Sequence, residues 1–82
     1  MKEELITIID ENNQKKDYKV LLIIDKEYKY IIYTNIDNND LRHNLYVAKV
    51  KSLDNINDTM EITSSEWEMI EKEYQSILDV NK

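Results

Sequence analysis

His43 is the one histidine of this chain, and it stands beside Arg42 at the edge of a polar stretch. An imidazole there could serve as a general base or a metal ligand. The first role needs a positioned partner and the second needs further ligands at set geometry. No such partner is identifiable, and a lone histidine in polar surroundings reads as a solvated side chain. Carboxylates are more plentiful. Asp37-Asn38-Asn39-Asp40 and Asp54-Asn55-Ile56-Asn57-Asp58 have the composition of calcium loops without the spacing. Counting Asp37 as the first position of such a loop puts Ala48 where the closing glutamate belongs, and the sharp-turn glycine is missing. Both stretches read as turn-forming loops. Glu66 and Glu68 could be paired for glycosidic chemistry, but they fall on a predicted exposed helix surface with no cleft.

Two absences remove whole classes of chemistry. The chain contains no glycine, so neither a phosphate-cradling loop nor a dinucleotide fingerprint is present. It contains no cysteine, which excludes disulfides, thiolate nucleophiles and cysteine-type zinc sites. Ser64 and Ser65 are accounted for by helix capping. No catalytic, cofactor-binding or metal-ligating residue is assigned, no cofactor is implied, and the expectation is a protein that is not an enzyme. Six tyrosines and one tryptophan are the remaining resource. Tyr18, Tyr28, Tyr30 and Tyr46 could line one sheet face as a stacking platform for single-stranded nucleic acid. Core or half-buried sheet positions with hydroxyls reaching solvent explain them more simply.

The elements that must position these groups follow from the apolar rhythm. Before Thr63, apolar residues come in short alternating or continuous runs; after it, Trp67, Ile70, Tyr74, Ile77 and Leu78 repeat at a helical period. Strands are predicted over 5–10, 16–24, 28–34 and 44–51, with 59–62 as a short fifth. Tyr18, Val20, Leu22 and Ile24 are expected to share one face of the second strand. Turns that need positive φ must use Asn or Asp, and Asn13 in the first hairpin is a good candidate. Thr63 and Glu66 have capping-box spacing, with Ile62 and Trp67 as the accompanying hydrophobic staple; Ser65 and Glu68 form a rival box.

Eighty-two residues make one small domain, 1–82, which buries only about 60–65% of the surface its unfolded chain exposes. The start, Met1-Lys2-Glu3-Glu4-Leu5, has no apolar signal core, and no apolar run approaches a membrane span. A cytoplasmic, soluble protein is expected. The net charge of −6 opposes direct nucleic-acid binding and docking onto anionic membranes.

Read in order, the pieces resemble one family. Ile6-Thr7-Ile8-Ile9-Asp10-Glu11-Asn12-Asn13 is similar to the "ITIVDEDG" opening of the YrzB-like family of small acidic bacterial proteins. Lys26-Glu27-Tyr28 and Tyr46-Val47-Ala48-Lys49-Val50 resemble its middle strands, and Glu66-Trp67-Glu68-Met69-Ile70-Glu71 its last helix, "EEWEMVEE". The likeness runs along almost the whole chain. Asn12-Asn13 replaces the family's Asp-Gly, and the middle loop carries asparagines where relatives carry acids. The resemblance implies a soluble protein of low-GC Gram-positive bacteria and no particular activity.

The expected fold is α+β: an antiparallel meander of four or five strands with the C-terminal helix packed on one face. Trp67, Ile70, Tyr74, Ile77 and Leu78 should meet Ile6, Ile8, Tyr18, Val20, Leu22 and Ile32. A buried Trp67 would make Trp67→Ala cost about 3–5 kcal/mol. Ile23, Ile31 and Tyr33, if uncovered, would form an apolar patch on the opposite face. The functional expectation is a protein-interaction or regulatory module. Its helix surface of Glu66, Glu68, Glu71 and Glu73 would face a basic partner. The alternative is a nucleic-acid-linked protein, by stacking or as an acidic decoy. An uncovered face or edge could also pair two copies.

Overall fold

The computed structural model describes residues 4–80; Met1, Lys2 and Glu3, read above as lacking a signal core, lie outside the described residues, as do 81 and 82. Strands β1 (Leu5–Ile9), β2 (Lys15–Asp25), β3 (Lys29–Asn35) and β4 (Leu45–Val50) form one antiparallel sheet in the order β1-β2-β3-β4. A 3₁₀ turn (Leu53–Asn55) and one helix, α1 (Ser64–Val80), follow. The architecture is the α+β meander expected. The fifth strand is not formed: Met60 makes a single bridge to Lys49, its N–H donating to the Lys49 carbonyl at 2.7 Å.

The hairpin between β1 and β2 is closed without glycine. Asp10 accepts from the N–H groups of Asn12 (2.8 Å) and Gln14 (2.9 Å) through Oδ1, and Asn13 takes φ 60°. A turn followed by one left-handed residue is a common three-residue hairpin connection, and Asn tolerates that conformation best among non-glycine residues. Asn44 supplies the second left-handed residue, φ 61°, at the entry to β4.

β2 departs from simple alternation. Val20 pairs with Tyr33 but Leu22 pairs with Ile32, so one residue, Leu21, is extra. A bulge of this kind shifts the parity of everything beyond it. Leu22 and Ile24 therefore lie on the face carrying Tyr30 and Ile32, while Tyr18 and Val20 lie on the face carrying Ile31 and Tyr33. Through the β1–β2 register, Ile6 and Ile8 join Tyr18. The expectation that Ile6, Ile8, Tyr18 and Val20 meet the helix is thus corrected: an inserted residue turned them to the other side.

α1 begins with the capping box Thr63–Glu66. The Glu66 N–H donates to Thr63 Oγ1 at 3.3 Å, and the Thr63 N–H donates to Glu66 Oε1 at 3.0 Å. The core is Ile24, Tyr30 and Ile32 from the sheet against Ile70 and Tyr74 from α1, with Leu21, Leu22, Ile62, Met69 and Leu78 at its margin. Ile70 is 2% exposed, whereas Trp67 is 42% exposed and Ile77 also faces outward. Trp67 is therefore not the anchor expected from the spacing. The first turn is seated instead by Glu66, which reaches Lys49 and Tyr30 on the sheet.

The sheet is strongly curved. The Ile9 N–H on β1 donates to Asn57 Oδ1 at 3.0 Å, and three residues later Met60 bridges β4. Three residues reach about 11 Å. In a flat sheet the edge at Lys49 and the end of β1 at Ile9 would stand roughly 30 Å apart. On the face opposite α1, Ile31, Ala48 and Val50 are buried without the helix.

Candidate functional site

Three groupings of polar and aromatic side chains stand out. The first lies under the start of α1. Lys49 Nζ contacts Glu66 Oε2 at 2.8 Å and Oε1 at 2.9 Å, sits 4.4 Å from the Tyr28 ring centre, and is itself buried. The Tyr30 hydroxyl donates to Glu66 Oε2. Lys49 first, then Tyr30 and the Thr63 N–H, hold the Glu66 carboxyl down at about 2. The same hydrogen bond, reinforced by burial, pushes the Tyr30 phenol up to about 12. A buried charge must be paired and hydrogen-bonded. Every partner here serves that end, so the group reads as structural. Glu66 consequently leaves the exposed acidic surface expected of α1; Glu68, Glu71 and Glu73 remain on it. Glu68 and Glu71 border a wide-open depression with Lys72, Gln75 and Ser76.

The second grouping is the β3–β4 loop. Asn38 Nδ2 donates to Thr34 Oγ1 (2.7 Å) and to the carbonyls of His43 (3.0 Å) and Asp40 (3.2 Å). Asp40 accepts from the Arg42 N–H at 2.9 Å and pairs with His43 Nδ1 at 2.6 Å. The Arg42 amide first, then the His43 ring, keep the Asp40 carboxyl below its usual range. The Tyr74 hydroxyl docks the loop onto α1 by donating to the Leu41 carbonyl at 2.6 Å. The oxygens of Asp40 and Asn38 are spent on the loop itself, and His43 is exposed. Among the described residues, no three His, Cys, Asp or Glu side chains gather as a metal site would require.

The third is aromatic. Tyr18 from β2, Tyr33 from β3 and Tyr46 from β4 meet on the face opposite α1. Tyr33 packs edge-on to Tyr18 (5.1 Å between centres) and stacks on Tyr46 (5.5 Å), and Tyr18 lies 6.0 Å from Tyr46. Lys16 Nζ stands 5.3 Å from the Tyr18 ring. Burial, then the neighbouring Tyr18 and Tyr46, raise the Tyr33 phenol above its ordinary value, so it stays protonated at neutral pH. Tyr46 is 44% exposed. Asn35, paired with Tyr18 in register, carries a buried Oδ1 without a hydrogen-bond partner among the described residues. The cluster offers ring faces and hydroxyl donors, a combination suited to contact rather than proton transfer.

A stacking platform of Tyr18, Tyr28, Tyr30 and Tyr46 would require all four on one face. The structure instead separates Tyr28 and Tyr30, on the helix side, from Tyr18, Tyr33 and Tyr46. It also buries Ile31, so the apolar patch expected around Ile23, Ile31 and Tyr33 is not open at its centre. The signal that could have revealed the tyrosine cluster is the run Val20-Leu21-Leu22-Ile23, apolar on both faces, where an extra residue can be absorbed. Comparison with protein-family models, curated proteins and solved structures returns no match to this chain.

Proposed function

We propose that this chain is a non-enzymatic interaction module acting in the cytoplasm, which meets a protein partner through its tyrosine-bearing sheet face. The observation that carries this reading is the Tyr18–Tyr33–Tyr46 cluster, gathered from three strands on the side α1 does not cover, with Tyr46 half exposed. Amphipathic aromatic rings are enriched at the energetic centres of interfaces. The exposed acids Glu68, Glu71 and Glu73 and the net charge of −6 favour a basic partner, since complementary charge speeds encounter. Among the described residues no helix is long and apolar enough to cross a membrane. The ordered motifs at Ile6–Asn13, Tyr46–Val50 and Glu66–Glu71 support membership of the YrzB-like family.

The test is affinity capture from lysate, quantified by mass spectrometry at low and moderate salt, with wild type beside a Tyr18→Ser, Tyr46→Ser variant whose fold is checked by its melt. A protein retained by wild type and lost by the variant supports the reading. Equal recovery by both, or nothing reproducible, refutes it.

A second reading is nucleic-acid-linked, and the Lys16 ammonium beside the Tyr18 ring favours it. Direct stacking requires oligonucleotide affinity that falls steeply with salt. An acidic decoy requires no such affinity, but competition with nucleic acid for its target.

A further inference from the structure

We propose that the free edge of β1 pairs two copies of this chain, antiparallel about a two-fold axis at Ile6, into one continuous eight-stranded sheet. The inference stands on the strand edge and does not depend on the interaction reading above. Which backbone groups face outward follows from two bonds of the ladder. The Val20 N–H donates to the Glu4 carbonyl at 2.8 Å, and the Asp10 N–H to the Gln14 carbonyl at 3.0 Å. Hydrogen-bonded pairs alternate along an antiparallel ladder. Glu4, Ile6, Ile8 and Asp10 therefore bond to β2, and Leu5, Thr7 and Ile9 point their N–H and carbonyl groups away from it. The Ile9 N–H is already taken by Asn57. The Leu5 and Thr7 amides have no partner among the described residues, and the Leu5 side chain beside them is 54% exposed. An edge of this kind is a template for another strand.

The Asn57 cap selects the register. A two-fold centred on Thr7 would need the Ile9 amide for its outer pair. A two-fold centred on Ile6 uses Leu5 against Thr7 of the second copy, twice, and does not need the Ile9 amide. Charge agrees with that choice. Glu4 then stands beside Ile8 of the second copy, and Ile8 is paired with Lys16. Glu4 of one copy and Lys16 of the other flank one isoleucine on the same sheet face, about 10 Å apart between strands, within reach of two long side chains. The symmetry makes this contact twice. Because Ile6 pairs with Tyr18, the row Tyr18–Ile6–Ile6–Tyr18 would join the two tyrosine clusters across the dimer.

The chain lacks cysteine, so single Cys substitutions report the register directly. Directly opposed residues in a non-hydrogen-bonded pair lie about 4.5 Å apart at Cα, a distance a disulfide spans. Ile6→Cys should cross-link under mild oxidation much faster than Thr7→Cys or the distant control Ser76→Cys. Wild type should sediment as a monomer–dimer equilibrium, with amide exchange at Leu5 and Thr7 slowing as concentration rises. A chain that stays monomeric up to millimolar loading, with concentration-independent exchange at those two amides, overturns the proposal. So does cross-linking led by Thr7→Cys. The wild-type measurements stand even if a substitution at Ile6 perturbs folding.

Discussion

Ile70→Ala is the most informative single perturbation of this fold. The side chain is 2% exposed and packs with Ile24, Tyr30, Ile32 and Tyr74, all buried. Truncation removes three carbons from a place that cannot open to solvent without moving those neighbours. Isoleucine-to-alanine changes in cores cost about 2–5 kcal/mol, and a site ringed by buried residues belongs above the low end, at about 3–5 kcal/mol. A domain of this length holds roughly 4–12 kcal/mol in total. The loss should therefore lower the melting midpoint by roughly 15–30 °C. Trp67→Ala makes the necessary comparison. Its ring is 42% exposed, so truncation should cost about half of the ~3–5 kcal/mol of a buried tryptophan, about 2 kcal/mol. Thermal and urea melts followed by circular dichroism measure both. The reasoning fails if Trp67→Ala is the more damaging change, or if Ile70→Ala melts within a few degrees of wild type.

Glu66 gives an acid limb to stability. Its folded-state pKa of about 2 lies below its ordinary value, so its contribution is full above pH ~4.5 and lost as pH falls towards 2; Glu66→Gln should flatten that limb in melts across the range. Tyr30 acts at the other end. Its pKa is raised to about 12, so stability is full below pH ~10 and declines above it, and Tyr30→Phe should blunt the decline in alkaline urea titrations. At the first hairpin, Asn13→Ala should cost about 1 kcal/mol because alanine disfavours the left-handed region, while Asn13→Gly should be tolerated. Equal melts for those two variants would show that the turn conformation contributes nothing.

Much of the fold was legible because local chemistry determines it. The four strands, the hairpin with Asn13 in a left-handed conformation, and the Thr63–Glu66 box that starts α1 all follow from residues within a few positions of one another. Face assignment is less local. Period-two reasoning held for β3, where Tyr30 and Ile32 face the helix, and failed in β2, where one inserted residue reversed Tyr18 and Val20 relative to Leu22 and Ile24.

The sequence by itself determined the class of domain, its acidic character, the absence of thiol and phosphate-loop chemistry, and the order of its elements. These depend on composition and short-range pattern. Only the tertiary structure decided which tyrosines meet, that Glu66 rather than Trp67 seats the helix, and that Asn57 reaches Ile9 across 48 positions of sequence. Those outcomes turn on where a bulge falls and how far the sheet curves. Both are set by the summed packing of distant strands, and no window of neighbouring residues encodes that sum.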